Sequence, residues 1–143
     1  MGEISTKNEY FDNNNLTYRG KIKNISENKE FDAASSLWGG NWRIPTYEEM
    51  KELLTKCQWS YYIYKDRPGY KITGPNGNSI FLPMAGFYIG KTCYSVNEYG
   101  SYWCSTSNQS DFKSAYYLNI YDNKIMIDLG NRSYGRSIRP VIK

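Results

Sequence analysis

Apolar residues recur every three or four positions between residues 27 and 38, which predicts a first helix over that range. Asn24 is followed three residues later by Glu27, so Asn24 is expected to cap the helix, and Gly39 and Gly40 are expected to end it. The apolar stripe of this helix comprises Phe31, Ala34, Leu37 and Trp38.

A second helix is predicted directly after Pro45. Thr46 and Glu49 match a capping box, in which each side chain bonds the backbone N–H of the other residue. The apolar residues that follow at helical spacing are Met50, Leu53, Leu54 and Cys57. We interpret this stripe as a face that packs on a core rather than as a cofactor site.

Extended runs separated by short turns follow Gln58, so strands are predicted for the rest of the chain. Asn76 and Gly77 lie between the runs 70–73 and 79–83, which is a strong signal for a hairpin. Residues 85–100 are predicted to form a loop. The other predicted strands cover residues 101–106, 115–121, 124–129 and 137–142, with an edge strand at 16–22. Helices followed by antiparallel strands predict an α+β fold.

Length and charge narrow the classes of function. The 143 residues fit a single domain over residues 1–143. A net charge of +4 without a stripe of Lys or Arg does not indicate nucleic-acid binding. The absence of histidine excludes His-based acid–base catalysis and most zinc sites. No apolar run approaches the length of a membrane span. Residues 1–15 are polar, so they are not expected to act as a signal peptide.

Three cysteines, Cys57, Cys93 and Cys104, are too few and odd in number for a disulfide framework, although one disulfide stays open. Cys57 and Cys104 are interpreted as small buried hydrophobic residues. The carboxylates form no calcium-loop pattern, so no metal site is predicted. Without histidine, catalysis by carboxylate, Lys, Tyr or Cys side chains is the enzymatic option that composition leaves open. Four tryptophans are interpreted as core anchors: Trp38, Trp42, Trp59 and Trp103.

The C-terminal third of the chain, residues 105–136, combines a few aliphatic residues with many Tyr, Asn and Ser. Six apolar residues are enough to fix one face of a sheet: Ala115, Leu118, Ile120, Ile125, Ile127 and Leu129. Tyr117, Asn119 and Tyr121 share a side at two-residue spacing, and Ala115 at the same parity interrupts the alternation. Tyr, Asn and Ser are typical of binding surfaces, so we interpret this side as a recognition patch; an ordinary hydrophilic sheet face is the alternative.

Several blocks of sequence resemble the Fibrobacter succinogenes major paralogous domain. The blocks are residues 38–46 with Glu49, Leu53 and Leu54, then 57–59, 74–83 with Ala85 and Gly86, 100–103, and 132–141. They occur in the right order, and the resemblance covers nearly the whole chain from about residue 30 onward. It implies a C-type-lectin-like fold, with two helices packed on antiparallel β-sheets, in the branch shared with formylglycine-generating enzymes.

The stretch before the closing Arg139-Pro140-Val141 resembles the variable region of diversity-generating retroelement proteins, where adenine-directed mutagenesis exchanges residues on a fixed scaffold. The implied contact positions are Ser107, Asn108, Tyr117, Asn119, Tyr121, Asp128, Asn131, Ser133 and Tyr134. The resemblance implies a non-enzymatic protein at a cell surface, secreted or on a virion. It would bind a protein or glycan ligand without calcium or another cofactor, and its oligomeric state is left open.

Two alternatives stay open. A copper or thiol oxidase of the formylglycine-generating type would require Cys93 and Cys104 to lie close together, and no second cysteine follows Cys104. A non-diversified bacterial surface or fimbrial subunit would instead self-associate through an exposed edge strand.

Overall fold

The computed structural model describes residues 23–26, 28–111 and 113–143. Within them the chain is mixed α+β, with two helices and antiparallel strand pairs, which confirms the predicted class. The helices are α1 (Ala33–Trp38) and α2 (Tyr47–Lys56). The strands are β1 (Trp42–Arg43), β2 (Gln58–Tyr64), β3 (Arg67–Thr73), β4 (Ser79–Pro83), β5 (Phe87–Ile89), β6 (Thr92–Tyr94), β7 (Gly100–Ser107), β8 (Ser114–Tyr121), β9 (Lys124–Asn131) and β10 (Val141–Ile142). The predicted strand at residues 16–22 lies outside the described residues.

Helix α1 is shorter than the sequence predicts, because Asp32 rather than Asn24 caps it. The Asp32 Oδ1 accepts hydrogen bonds from the backbone N–H groups of Ala34 at 2.9 Å and Ser35 at 3.1 Å. Its Oδ2 accepts a third from the N–H of Ile44 at 3.0 Å, and the residue is fully buried. The predicted cap at Asn24 and the predicted helical turns before Asp32 are therefore wrong.

The apolar stripe of α1 does not face the core along its length. Leu37 is 67% exposed and Trp38 is 60% exposed, because a helix of six residues reaches the interior only with its first turn. The ring of Trp38 packs edge-on against Trp42 at 5.3 Å between centroids. The interpretation of Trp38 as a core anchor is wrong, whereas Trp59 packs against the core and donates its indole N–H to the Leu53 carbonyl at 3.1 Å.

Helix α2 begins with the predicted capping box. The Thr46 hydroxyl accepts from the Glu49 N–H at 3.3 Å, and the Glu49 carboxylate accepts from the Thr46 N–H at 2.9 Å. Arg43 forms two further bonds to the same carboxylate, at 2.7 and 2.6 Å. These bonds from Arg43 are the main reason that the pKa of Glu49 is lowered to about 2. The start of α2 is thereby tied to β1, on which Arg43 lies.

The strands form sheets with the orders β2-β3-β4, β7-β8-β9, β5-β6 and β1-β10 among the described residues. The turn at Asn76 and Gly77 joins β3 to β4 as predicted, with Gly77 at a φ of 80°. The predicted loop at residues 85–100 is wrong in part, since it contains the hairpin of β5 and β6. Of the predicted strand at 137–142, only Val141–Ile142 forms a strand, and it pairs with β1.

The core lies between helix α2, the β2-β3-β4 sheet and one face of the β7-β8-β9 sheet. Leu118 and Ile120 of β8 have no exposed surface. The buried cluster around them comprises Met50, Tyr70, Ile72, Leu82, Tyr102 and Cys104. Side chains alternate along a strand, so Asn119, which lies between Leu118 and Ile120 in sequence, points away from this core.

Candidate functional site

We call the side of the β7-β8-β9 sheet that faces away from the core the outer face. The strand register places Tyr117 between Trp103 of β7 and Asp128 of β9, and Asn119 between Ser101 and Met126. Because cross-strand neighbours lie on the same side of a sheet, these residues share the outer face. At the end of the hairpin Tyr121 pairs with Lys124.

The segment around Arg136 pairs with the edge of β7 that lies opposite β8, and it brings a cation to the outer face. The backbone of Ser137 donates to the Ser101 carbonyl at 3.0 Å and accepts from the Trp103 N–H at 3.0 Å. Gly135 exchanges two backbone hydrogen bonds with Tyr88 of β5, at 2.7 and 2.8 Å. The segment therefore joins β5 to β7, with Arg136 between its two points of attachment.

The Arg136 guanidinium is enclosed by aromatic rings, an arrangement that we call the arginine cage. The guanidinium carbon lies 4.5 Å from the ring centre of Trp103, 4.0 Å from that of Tyr117 and 5.2 Å from that of Tyr134. The residue is only 9% exposed. Cation–π attraction of this kind strengthens when the cation is removed from water, so the three rings compensate part of the cost of burial.

No carboxylate compensates this charge within the described residues, where the ion pairs involve other groups. The Nε and Nη1 atoms of Arg136 are buried without a hydrogen-bond partner in the described protein. Burial lowers the pKa of Arg136, and the phenol of Tyr117 opposes that change. A guanidinium keeps its proton in proteins, so the outer face carries a fixed positive charge at its centre.

A glycine makes room for this cation. A Cβ atom added at Gly130 would lie 2.4 Å from Arg136 Nη2 and 2.8 Å from the ring of Tyr117. Any other residue at position 130 would therefore push the guanidinium or the ring from its place.

Further aromatic residues extend the cage across the outer face. The hydroxyls of Tyr99 and Tyr117 lie 3.1 Å apart, and the rings of Tyr99 and Tyr121 have centroids 5.5 Å apart. Phe87 stacks on Tyr134 at 5.8 Å with an angle of 7° between the planes. Burial, followed by the hydrogen bond to Tyr117, raises the pKa of Tyr99, so its phenol stays neutral. Packed rings of this kind form a preorganised contact surface.

The nine implied contact positions differ in how exposed their side chains are. The exposed positions are Tyr121, Asp128 and Asn131, and the half-buried positions are Asn108, Asn119, Ser133 and Tyr134. Ser107 and Tyr117 are buried, at 6% and 5% exposure, so little of either side chain is accessible to a ligand. The Ser107 hydroxyl donates to the Lys23 carbonyl at 3.1 Å, and Tyr117 lies beneath the Arg136 guanidinium.

These positions do not form one compact patch. Tyr121 lies at one end of the β8–β9 hairpin, and Asn131 pairs with Ser114 at the other end. An eight-residue ladder separates the two ends by about 23 Å at the usual rise per residue. The loop at Asn108, whose N–H donates to the Ser114 carbonyl at 3.2 Å, joins the Asn131 end. The outer face therefore has two accessible ends with the arginine cage between them.

Sequence reasoning missed Arg136, Tyr99 and Phe87 as members of this surface. Arg136 follows Tyr134 at two-residue spacing, which is a weak sign that both lie on one side of an extended segment. Nothing in the linear pattern indicates that this segment adds to the edge of β7.

The three cysteines are free thiols. Cys104 is 3% exposed in the core, as predicted, and burial raises the pKa of its thiol to about 12. Thiolate is the reactive form of cysteine, so Cys104 is held in its unreactive form at neutral pH. Cys93 lies half-buried on β6, with its sulfur 4.0 Å from the Ala85 carbonyl oxygen.

No group of three or more metal-binding side chains occurs in residues 23–26, 28–111 and 113–143. In the same part of the chain, no helix is long and apolar enough to cross a membrane. Comparison with protein-family models, with curated proteins and with solved structures finds no match to this chain.

Proposed function

We propose that this chain is a non-enzymatic ligand-binding protein that uses a C-type-lectin-like scaffold and recognises its ligand through the outer face. In this proposal the chain is the variable protein of a diversity-generating retroelement, and its ligand is a protein or a glycan on a cell surface. Binding needs neither calcium nor another cofactor.

One observation carries the proposal: buried and exposed side chains lie on opposite sides of β8. Leu118 and Ile120 have no exposed surface, whereas Tyr121, at the end of the same strand, is 55% exposed. Neighbouring residues on β8 thus have different roles, because side chains that fill the core alternate with side chains that face outward. Exposed outer-face residues are free to change without disturbing the packing that holds the strand, as a diversified binding surface requires.

The chemistry of the outer face supports recognition. Tyr supplies large, rigid contact area at low entropic cost, and Asn offers both a donor and an acceptor. The cage adds a fixed guanidinium, and the close packing of Phe87 on Tyr134 restricts the rings. A surface that is already ordered loses little freedom on binding, which favours affinity.

The proposal can be tested by screening the full chain against arrays of glycans and of cell-surface proteins. A variant with Tyr121→Ala and Asp128→Ala removes two exposed outer-face side chains, and Glu48→Ala and Lys51→Ala on α2 form the control. We expect the first variant to lose at least tenfold in affinity for a ligand of the native chain, and the control to keep it. If the native chain and both variants are folded and bind the ligand equally well, the proposed surface is refuted.

One observation favours the structural subunit as a second candidate. Among the described residues β2 lies at the edge of its sheet, and four consecutive residues on it, 61–64, are 46–59% exposed although all are Tyr or Ile. Such an edge can pair with another chain. This candidate predicts oligomers by light scattering that Ile63→Lys dissociates, whereas a monomer at high concentration would count against it.

A further inference from the structure

A groove of about 370 Å³ opens at the Tyr121 end of the outer face. The β2–β3 hairpin contributes Tyr61 and Tyr70 to its wall, and the loop between β6 and β7 contributes Glu98. The turn between β8 and β9 contributes Tyr121 and Asp122. A volume of this size is suited to a small chemical group or a single side chain rather than to a flat protein contact.

The charges and rings around the groove are matched to a cation. Three tyrosines and the two acidic residues Glu98 and Asp122 are among the residues that line it, and no Lys or Arg is among the described residues that do so. Neither carboxylate takes part in an ion pair within the described part of the chain. Aromatic faces together with carboxylates are the usual means by which proteins hold ammonium groups.

The walls are held in place before any ligand arrives. The loop at Asn97 is fixed to the end of β4, because the Asn97 N–H donates to the Met84 carbonyl at 2.7 Å. Asp122 and Asn123 form a tight turn with positive φ angles of 51° and 58°. The rings of Tyr61 and Tyr70 pack edge-on, with centroids 5.9 Å apart. A preorganised wall spares a ligand the cost of ordering it.

Other ligand chemistries fit these walls less well. A carboxylate or phosphate would be repelled by Glu98 and Asp122, and Arg136 of the arginine cage is not among the residues that line the groove. A divalent metal requires more ligand groups than these two carboxylates supply, and the described residues contain no cluster of three. A neutral hydroxyl compound would gain from the rings but not from the charges.

We propose that this groove binds an alkylammonium group, carried either by a lysine side chain of a protein ligand or by a small amine. The inference rests on the proposed function in one respect, since Tyr121 belongs to both surfaces. In this proposal the groove selects a positively charged group of the ligand at one end of the outer face. The diversified positions determine which ligand shape fits the rest of that face.

The test is a titration of the ¹⁵N-labelled full chain by NMR at constant ionic strength. The probes are n-butylammonium, Nα-acetyl-lysine amide for a protein lysine, tetramethylammonium for a small quaternary amine, the neutral isostere butan-1-ol, and butyrate. We expect saturable shifts at the amides of Glu98, Asp122 and Asn123 with the ammonium probes, and at least tenfold weaker binding of butan-1-ol and butyrate. Equal affinity for butan-1-ol, or shifts spread over the whole chain, would overturn the proposal.

The decisive variant is Glu98→Gln with Asp122→Asn, which keeps the shape of both side chains. Asn tolerates the positive φ at position 122 at least as well as Asp, so the turn is retained. The control, Glu30→Gln with Glu48→Gln, removes the same charge from exposed positions elsewhere. We expect the first variant to bind n-butylammonium at least tenfold more weakly and the control to bind as the native chain does. Unchanged binding in the first variant would refute the groove.

A variant that does not depend on charge is Tyr121→Leu. It removes one ring of the groove, and several-fold weaker binding of n-butylammonium is expected if the rings hold the cation; unchanged binding would argue against that role. The experiments distinguish failure of the two proposals. If the chain binds amines but no ligand on the arrays, the groove proposal is supported and the proposed function is not. If the Glu98→Gln, Asp122→Asn variant still binds an array ligand and the native chain binds no amine, the outer-face proposal is supported and the groove proposal is refuted.

Discussion

The guanidinium of Arg136 lies 4.0 Å from the centre of the Tyr117 ring, although nineteen positions separate the two residues in sequence. The contact exists because the Arg136 segment pairs with the free edge of β7, two strands away from the edge formed by β9. A residue from the end of the chain thus defines the centre of a surface that is built mainly by the β7-β8-β9 sheet.

The space at Gly130 gives the first prediction. Gly130→Ala should destabilise the chain by about 1–3 kcal/mol, because the new methyl group overlaps the guanidinium of Arg136 and the ring of Tyr117. Urea unfolding measures the loss. In an Arg136→Ala background the same substitution should cost less, since one of the two obstacles has gone. Strictly additive costs in this double-mutant cycle would show that Gly130 does not serve the cage.

The two faces of β8 should differ sharply in their tolerance of substitution. Leu118→Ala should cost about 2–5 kcal/mol, because it leaves a cavity in a fully buried site. Tyr121→Ser should cost less than about 1 kcal/mol, since most of that side chain is in solvent. Thermal unfolding followed by circular dichroism compares the two variants. Similar losses from both would contradict the division between core and outer face.

The capping box at α2 predicts a dependence on pH. The pKa of Glu49 is lowered from 4.5 to about 2, chiefly by the hydrogen bonds from Arg43. The pair therefore stabilises the fold fully above pH 4.5, and this contribution is lost as the pH falls towards 2. The Glu49 side chain is 36% exposed, so solvent screening limits the contribution to about 1 kcal/mol.

Glu49→Gln tests this contribution, because Gln keeps one oxygen for the capping box but loses both the charge and the second oxygen that Arg43 binds. We expect the variant to be less stable than the native chain at pH 7, and we expect this difference to shrink at pH 2, where the Glu49 carboxylate of the folded chain is being protonated. Urea unfolding at both pH values measures the difference. Glu48→Gln, at an exposed neighbouring position, serves as the control and should show no such difference. A gap of the same size at both pH values would mean that the ion pair is not its cause.

Burial of Cys104 predicts selective thiol reactivity. Because its pKa is raised to about 12, Cys104 stays protonated at pH 8 and should not react with an aromatic disulfide reagent in the native chain. The partly exposed Cys57 and Cys93 should react first, and a third equivalent should appear only after unfolding. Rapid native reaction of all three thiols would revive the oxidase alternative, which needs an accessible reactive pair.

Calcium independence is the last prediction. The described residues contain no group of three metal-binding side chains, so calcium and a chelator should leave both ligand binding and Tm unchanged, with a shift below about 1 °C. Titration calorimetry with an array ligand, with and without calcium, measures the first of these. Binding that requires calcium would contradict this part of the proposed function.

Local signals in the sequence were sufficient for part of the fold. The capping box of Thr46 and Glu49 and the turn at Asn76 and Gly77 depend on neighbours within a few residues, and both are confirmed. The alternation of Leu118 and Ile120 with polar residues predicted the core side of β8 for the same reason. Such features can be read from a sequence because their partners lie nearby in it.

Features that depend on distant partners could not be predicted. Asp32 caps α1 in place of Asn24 because its second oxygen also binds the N–H of Ile44, twelve residues away. The burial of Tyr117 depends on Arg136, which arrives from another segment of the chain. The hairpin of β5 and β6 has only three residues in each strand, too few for an alternating pattern to stand out.

The buried carboxylate of Asp32 also joins two neighbouring elements into one unit. It receives N–H groups from the first turn of α1 and from Ile44, directly after β1, so neither segment can separate without breaking bonds that hold the other. The amide protons of Ala34, Ser35 and Ile44 should therefore exchange with deuterium through a common opening event, at one shared free energy. Although α1 has six residues and β1 only two, the two elements would then open and close together as one cooperative unit.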